Sequence, residues 1–287
     1  DYAICRRKKQ PDVRKKEKWK PYLDYVLKEQ EWLKEHQEQE LKEIRSKDGL
    51  TLRAAYIPRE NAKGTIICMH GYHSTNNIEF VPEVRFLWNL GYSILLPWQR
   101  SHGKSEGRYI TYGVKERHDL KRWILYTNRH LAAKNKDIFL CGISMGCATT
   151  LMAAGLDLPD NVKGIIADCG FTSPWDIIKH VAKERFHLPP FPLMYMVDLI
   201  SEVVAGFGLK EVSIPEIMKR NKIPVLFIHG DADDYVPMWM TIKNYEACAA
   251  PKELYIVSGA GHALAFSKDM EEGKRRIKNF INKYKTI

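Results

Sequence analysis

The stretch Gly142-Ile143-Ser144-Met145-Gly146 is where residue types and spacing in this sequence point most sharply to chemistry. A serine hydroxyl is a weak nucleophile until it is presented and its proton is taken, and a G-x-S-x-G between a strand and a helix supplies the presentation. In that turn the serine adopts a strained backbone that lifts Oγ above a sheet, while glycines two residues to either side let neighbouring backbone pass closely. Both flanks fit: Ile138–Cys141 is a short apolar run that reads as a strand, and Cys147–Ala154 is a helix-forming run whose N-terminal amides would face the serine oxygen. An ordinary Gly/Ser turn would leave those flanks unexplained. Competing chemistries lack their residues. There is no H-E-x-x-H or Cys/His ligand cluster, Asp231, Asp233 and Asp234 lack the spacing of a calcium loop, and no phosphate-cradling or dinucleotide-binding glycine motif occurs. No metal and no cofactor is expected.

Such a serine needs a sheet under it, and the rest of the sequence describes one. Thr65–Met69, Ser93–Pro97, Asp137–Cys141, Val162–Ala167, Pro224–His229 and Leu254–Val257 are short apolar runs bounded by turn residues, mostly separated by helix-length segments. All-apolar strands alternating with helices are what a parallel sheet covered on both faces requires. Lys42–Ser46 and Leu50–Ile57, flanking Lys47-Asp48-Gly49, add a candidate hairpin. The fold class expected is therefore α/β: a doubly wound, mostly parallel, eight-stranded sheet. Before it, residues 1–18 are charged and Pro-broken and read as a poorly ordered basic lead-in. Trp19 to Ile44 reads as an amphipathic helix carrying Tyr22, Tyr25, Val26, Trp32 and Leu33 on one stripe. The interval after Val162–Ala167 is far longer than a crossover needs, and its Pro, Met and aromatic content suggests short amphipathic helices laid over the sheet.

With that order of elements, the sequence over roughly residues 42–285 resembles the α/β-hydrolase superfamily. It looks most like bacterial serine hydrolases of the esterase, lipase and acyl-peptidase type, which carry a helical lid between the sixth and seventh strands. The resemblance divides the chain into a basic lead-in (1–18), an N-terminal helix (19–45), a hydrolase core (46–170 and 216–287) and a lid (171–215). It also assigns roles. The segment His229-Gly230-Asp231-Ala232-Asp233-Asp234-Tyr235-Val236-Pro237 is similar to the family's H-G-x-x-D-x-x-V-P and implies Asp233 as the triad acid. Ser258-Gly259-Ala260-Gly261-His262 is similar to its G-x-x-H turn and implies His262 as the base. Asp168, at the end of Val162–Ala167, is a rival acid because some members place it there, and a shifted loop would promote Asp231 or Asp234. His70-Gly71-Tyr72 is similar to the family's oxyanion loop and, with the residue after the nucleophile, implies the backbone amides of Tyr72 and Met145 as oxyanion donors. Pro97 to Gly107 resembles D-x-R-x-H-G-x-S except that Trp98 replaces the aspartate, which places Trp98 at the pocket border. Trp175, Phe186, Phe191, Met194 and Phe207 are the lid residues expected to line an apolar pocket.

Composition decides what the protein is not. The 287 residues, 45% hydrophobic with six cysteines, exclude a disordered chain and a disulfide scaffold. The net charge of +10 invites a nucleic-acid reading, but residues 1–20 and 268–287 carry +6 and +4, leaving 29 basic and 29 acidic residues between. No nucleic-acid groove is expected in a neutral body. Cys5, Cys68, Cys141, Cys147, Cys169 and Cys248 show no C-x-x-C spacing and read as free thiols, Cys147 and Cys169 as inert packing, which favours a cytoplasmic setting. Alternatively Arg6-Arg7-Lys8-Lys9 would suit the flank of a membrane anchor preceding Asp1, or surface association through the basic segment. No apolar run reaches the length of a membrane span; Phe191 to Phe207 contains Asp198 and Glu202. The expected function is hydrolysis of a small-molecule ester with an apolar acyl or aryl (hydroxycinnamoyl) group through an acyl-enzyme. Two alternatives stand beside it: a peptidase or amidase of the acyl-peptidase type, and a catalytically silent partner-binding protein on the same fold.

Overall fold

Strands β1 (Lys42–Arg45), β2 (Thr51–Ile57), β3 (Gly64–Met69), β4 (Ser93–Pro97), β5 (Asp137–Ile143), β6 (Val162–Asp168), β7 (Val225–Gly230) and β8 (Lys252–Val257) form one eight-stranded sheet in the order β1-β2-β4-β3-β5-β6-β7-β8. The computed structural model describes residues 4–6, 17–36, 41–74, 79–131 and 136–286. β1 and β2 form the hairpin expected around Lys47-Asp48-Gly49, and β2 also runs antiparallel to β4; the other pairs are parallel. Gly49 supplies the left-handed residue of the hairpin turn, at φ 87°.

The apolar runs are apolar because both faces of the inner strands are covered. Along β5, Ile138 and Leu140 enter one core while Phe139, Cys141 and Ile143 enter the other, the alternation that a strand imposes on successive side chains. α1 (Leu23–His36), α2 (Val81–Asn89) and the C-terminal helix Met270–Tyr284 supply Val26, Leu33, Val84, Leu87, Ile277 and Phe280 to the second core. α3 (Glu116–His130) and α4 (Met145–Ala153) pack on the opposite face through Leu120, Trp123, Ile124, Ala148 and Leu151. The edge strands β1 and β8 are only partly buried, as one-sided pairing requires. All six cysteines are free.

The N-terminal helix is shorter than its periodicity suggests. Glu17–Tyr22 is a 3-10 turn that contains Pro21, whose missing N–H cannot join an α-helical ladder, so the α-helix starts at Leu23. At the other end Lys42–Ile44 belongs to β1: its alternating exposure and pairing to β2 override the helical pattern, and residues 37–40 lie outside the described ones. The lead-in also differs over residues 4–6. Cys5 bridges Tyr109, and the Arg6 guanidinium donates to the carbonyls of Ser105 and Gly103 at 2.7 and 2.6 Å. Residues 7–16 of that lead-in lie outside the described residues.

Three distant elements are tied by one buried cation. Arg100, in the loop after β4, donates to Asp119 of α3 through Nε and Nη2 at 2.6 and 2.8 Å, and to Asp48 of the β1–β2 turn at 2.8 and 3.1 Å. Arg100 and Asp119 side chains are 5% and 4% exposed, so removing Arg100 strands Asp119 in low dielectric, and removing Asp119 leaves the buried cation with Asp48 alone. Asp119→Ala is expected to cost about 3–5 kcal/mol in urea unfolding, and the double replacement Arg100→Met with Asp119→Leu to cost less than the single one.

Candidate active site

Ser144 sits between β5 and α4 with φ 57° and ψ −118°, a conformation that a side-chain-bearing residue adopts only under constraint, at a cost of about 1–3 kcal/mol. Close approach holds it there. A Cβ on Gly146 would fall 1.7 Å from the Met69 carbonyl oxygen, and one on Gly142 would fall 2.5 Å from the Gly146 oxygen. Both flanking glycines are therefore required by space. The Ser144 N–H donates to the Asp168 carbonyl at 2.9 Å, anchoring the turn to β6.

Above this turn three side chains form a hydrogen-bonded chain. His262, in the turn after β8, has Nε2 2.9 Å from Ser144 Oγ and Nδ1 2.7 Å from Asp233 Oδ2. Because Nδ1 faces a carboxylate, it carries the proton, and Nε2 is left as an acceptor for the serine hydroxyl. Asp233, in the loop after β7, is itself cradled: its Oδ1 accepts from the Tyr235 and Val236 amides, each at 2.9 Å. Burial alone would raise its carboxyl, but hydrogen bonds from His229 and His262 and the Val236 amide outweigh burial and hold it well below the usual carboxylate range. His229 is a partner that motif reading passes over. Fully buried, it places Nε2 2.9 Å from the Val236 carbonyl and 3.4 Å from Asp233 Oδ2, so it fixes the loop and the acid together. The only sequence signal for it is the strand-end histidine opening His229-Gly230.

The rival acids fall elsewhere. Asp231 accepts from the Gly259 amide at 2.6 Å, and Asp234 is exposed and pairs with Arg185 at 3.3 Å. Asp168 stands behind the turn, with Oδ1 lacking a hydrogen-bond partner among the described residues; burial, with the Asp233 charge, pushes its carboxyl up to about 7 against the opposing pull of His229.

The loop after β3 leans on Ser144: a Cβ on Gly71 would lie 3.1 Å from Ser144 Cβ. His70 is fully buried, and its Nε2 accepts from the Gln99 amide at 3.1 Å while Nδ1 lies 2.9 Å from the Gly71 carbonyl. Burial lowers its pKa to about 4, so it is a neutral brace for the loop. The Gln99 side-chain amide donates to the His70 carbonyl, and the Gly71 N–H donates to the Glu79 carboxylate. Tyr72 and Met145, the residues whose amides are expected to face an oxyanion, both border the cavity beside Ser144.

That cavity, about 240 Å³, is apolar. Tyr72, Tyr112, Phe171 and Tyr235 wall it from the sheet side, and Ile177, Phe186 and Val197 wall it from the helices Pro174–Phe186 and Leu193–Ile200 inserted between β6 and β7. Of the six pocket residues expected from sequence, only Phe186 lines it. Trp98 is buried in the core on the other face of the sheet, with Gly103 so close that a Cβ there would fall 2.1 Å from its indole. Met194 and Phe207 point inward and are buried where the insertion packs on the core. Trp175 and Phe191 instead meet Tyr195 edge-on, with Lys210 Nζ 3.8 Å from the Trp175 ring centroid. The lining residues missed, such as Ile177, Val181 and Val197, are ordinary aliphatics whose only signal is helical spacing. Among the described residues no helix is long and apolar enough to cross a membrane.

Comparison with known proteins places this architecture. Residues 106–286 match the model of the prolyl oligopeptidase family. The uncharacterized protein YqkD of Bacillus subtilis (strain 168) is 28% identical over 239 residues, covering 83% of this chain and 78% of that protein. Protein bem46 of Schizosaccharomyces pombe is 25% identical over 217 residues, 74% of this chain and 67% of bem46. Among solved structures, the Pyrococcus furiosus esterase Pf2001 superposes with a TM-score of 0.72 at 26% identity, over 88% of this chain and 94% of that one. Est1E from Butyrivibrio proteoclasticus, solved with ferulic acid bound, shares the fold with a TM-score of 0.67 at 20% identity, over 85% and 98%. The chain belongs to the prolyl oligopeptidase family and, with it, to the α/β-hydrolase superfamily of serine hydrolases.

Proposed function

We propose that this hydrolase cleaves carboxylic esters bearing an apolar acyl or aryl acyl group through a covalent acyl-enzyme. The observation that carries the reading is the chain Ser144–His262–Asp233 opening onto a cavity that has no charged lining residue among the described ones. Ser144 Oγ attacks the ester carbonyl as His262 Nε2 takes its proton, and the amides of Tyr72 and Met145 receive the developing oxyanion. Collapse of the tetrahedral intermediate expels the alcohol, which leaves with the proton held by His262. Water then repeats the sequence on the acyl-serine, releasing the acid and restoring the serine. Asp233, ionised and fixed by its own donors, keeps Nδ1 protonated and stabilises the imidazolium.

The family match favours a second reading, amide or peptide hydrolysis by the same triad. An uncharged cavity offers no partner for a peptide terminus, which weighs toward esters. Turnover of p-nitrophenyl esters against aminoacyl-anilides separates the two: the ester reading expects the former to be faster by orders of magnitude.

Ser144→Ala is expected to abolish turnover and labelling by a fluorophosphonate probe; unlabelled wild-type protein would instead favour a silent binding protein. Asp233→Asn should lower kcat by about 10⁴ because it imposes the wrong tautomer on His262. Asp168→Asn should leave kcat within several-fold and act on stability. The native Asp168 carboxyl keeps its proton to about pH 7, whereas an unfolded one loses it near 3.8, so stability falls as pH rises through that window. Urea midpoints measured from pH 4 to 8 should fall less steeply in Asp168→Asn than in wild type.

A further inference from the structure

Beside the triad lies a thiol that ester hydrolysis does not use. Cys169 follows β6 at φ 45°, 1% exposed, with its N–H donating to the Ile228 carbonyl at 2.9 Å. Its Sγ, a carboxylate oxygen of Asp233 and a ring nitrogen of His262 all lie within 4.8 Å of one another. One sulfur, one imidazole nitrogen and one carboxylate oxygen make a donor set that suits zinc-class ions and is poor for magnesium or calcium, which want six or more oxygens. Zinc bonds of about 2.0–2.3 Å put tetrahedral ligand atoms about 3.3–3.8 Å apart. The present separations run from 2.7 Å between His262 Nδ1 and Asp233 to no more than 4.8 Å, so shifts of about 1 Å or less complete the triangle.

The electrostatics point the same way. Burial, and then the charges of Asp168, Asp233 and Glu79, raise the Cys169 thiol well above its ordinary value. That makes the residue unreactive as a bare thiolate, yet the ionised Asp233 carboxylate that opposes a thiolate favours a divalent cation, which deprotonates its own thiol ligand.

We propose that Cys169, Asp233 and His262 form a binding site for a thiophilic divalent cation of the zinc class, and that filling it switches the hydrolase off. Bonds form from the metal to Sγ, the carboxylate oxygen and Nδ1, with water in the fourth position. The S–H proton leaves to solvent, while the Nδ1 proton is lost and one is taken up at Nε2, so one proton is released per ion and nothing is oxidised or reduced. With Nε2 protonated, His262 has no lone pair for the Ser144 proton. The inhibition rests on the ester-hydrolase reading above; the binding does not.

Ser144→Ala protein, which holds the other site residues but cannot turn over, is dialysed against Zn²⁺ and titrated with Co²⁺. One ion per chain and a near-ultraviolet thiolate-to-cobalt band are expected, both lost when Cys169→Ala is added. In the wild type, Zn²⁺ should inhibit p-nitrophenyl butyrate hydrolysis and EDTA should restore it. Cys169→Ala should raise the Zn²⁺ inhibition constant by about tenfold or more, with uninhibited kcat/KM within about twofold. Cys169→Ser serves where the alanine variant does not fold. Equal inhibition of the cysteine variants and the wild type, or a cobalt complex without the thiolate band, overturns the proposal. Wild-type protein that turns over no ester but still shows the cobalt band removes the ester reading and leaves the site standing.

Discussion

Everything at this site depends on Ser144 being held at φ 57° between a strand and a helix. The constraint is steric before it is chemical. β3 and β5 are neighbours in the sheet, so the end of β3 lies against the first turn of α4, and the Met69 carbonyl occupies the space that any side chain at position 146 would need. That crowding forces the chain to turn sharply and leaves Oγ as the atom that projects. The same closeness brings the loop after β3 to Ser144, so near that a Cβ on Gly71 would crowd the serine side chain. One packing requirement thus sets both the nucleophile and the loop that flanks it, and His70, Gln99 and Thr149 lock that loop through a continuous set of buried hydrogen bonds.

Behind the serine the protein buries more carboxyl groups than the one that pairs with His262, and the contrast among them explains why that one stays ionised. Glu83, Asp168 and Asp233 are all removed from water. Burial pushes Glu83 and Asp168 up, and like charge adds to it, from Asp168 on Glu83 and from Asp233 on Asp168. Asp233 goes the other way because its loop supplies two backbone amides, while His229 at the end of β7 and His262 after β8 add two side-chain hydrogen bonds. A carboxylate that stays ionised in low dielectric is made by its hydrogen bonds rather than by its position on a strand. The end of β6 and the loop after β7 each offer a buried aspartate, but only the second hydrogen-bonds His262 and has backbone amides turned toward it.

The parts of the site that were legible in the sequence are those whose geometry is local. Gly142, Ser144 and Gly146 must occur together because the turn spans five residues, and the His229-to-Pro237 and Ser258-to-His262 segments are each a single loop. Strand runs were legible for a related reason: strands buried on both faces leave no polar position to blur them. The pocket was not, because its wall is assembled from one face of several helices. Ile177, Val181 and Val197 look like any core-facing aliphatics, whereas Trp98, Met194 and Phe207, conspicuous as large apolar residues, are spent on packing. The helix expected to run to Ile44 ends earlier for a similar reason. Lys42-Glu43-Ile44-Arg45 carries little apolar pattern of its own, and its conformation is decided by pairing with β2.

The division of labour in the cavity has a consequence for specificity. Its sheet-side wall comes from loops that also hold the triad and the loop after β3, so Tyr72 and Tyr235 cannot change freely. Tyr72 stacks on His73 and Tyr112, and the Tyr235 ring lies 5.0 Å from that of His262. The opposite wall comes from the helices between β6 and β7, whose lining side chains Ile177, Val181, Phe186 and Val197 are apolar. Phe186 and Leu188 are at once part of that wall and exposed at its rim. Changes there reshape the apolar cavity while the strained serine, its histidine and the donor-wrapped aspartate stay fixed by the sheet. The far wall of the cavity is therefore mechanically separable from the hydrogen-bonded triad: one belongs to an insertion, the other to the strand ends.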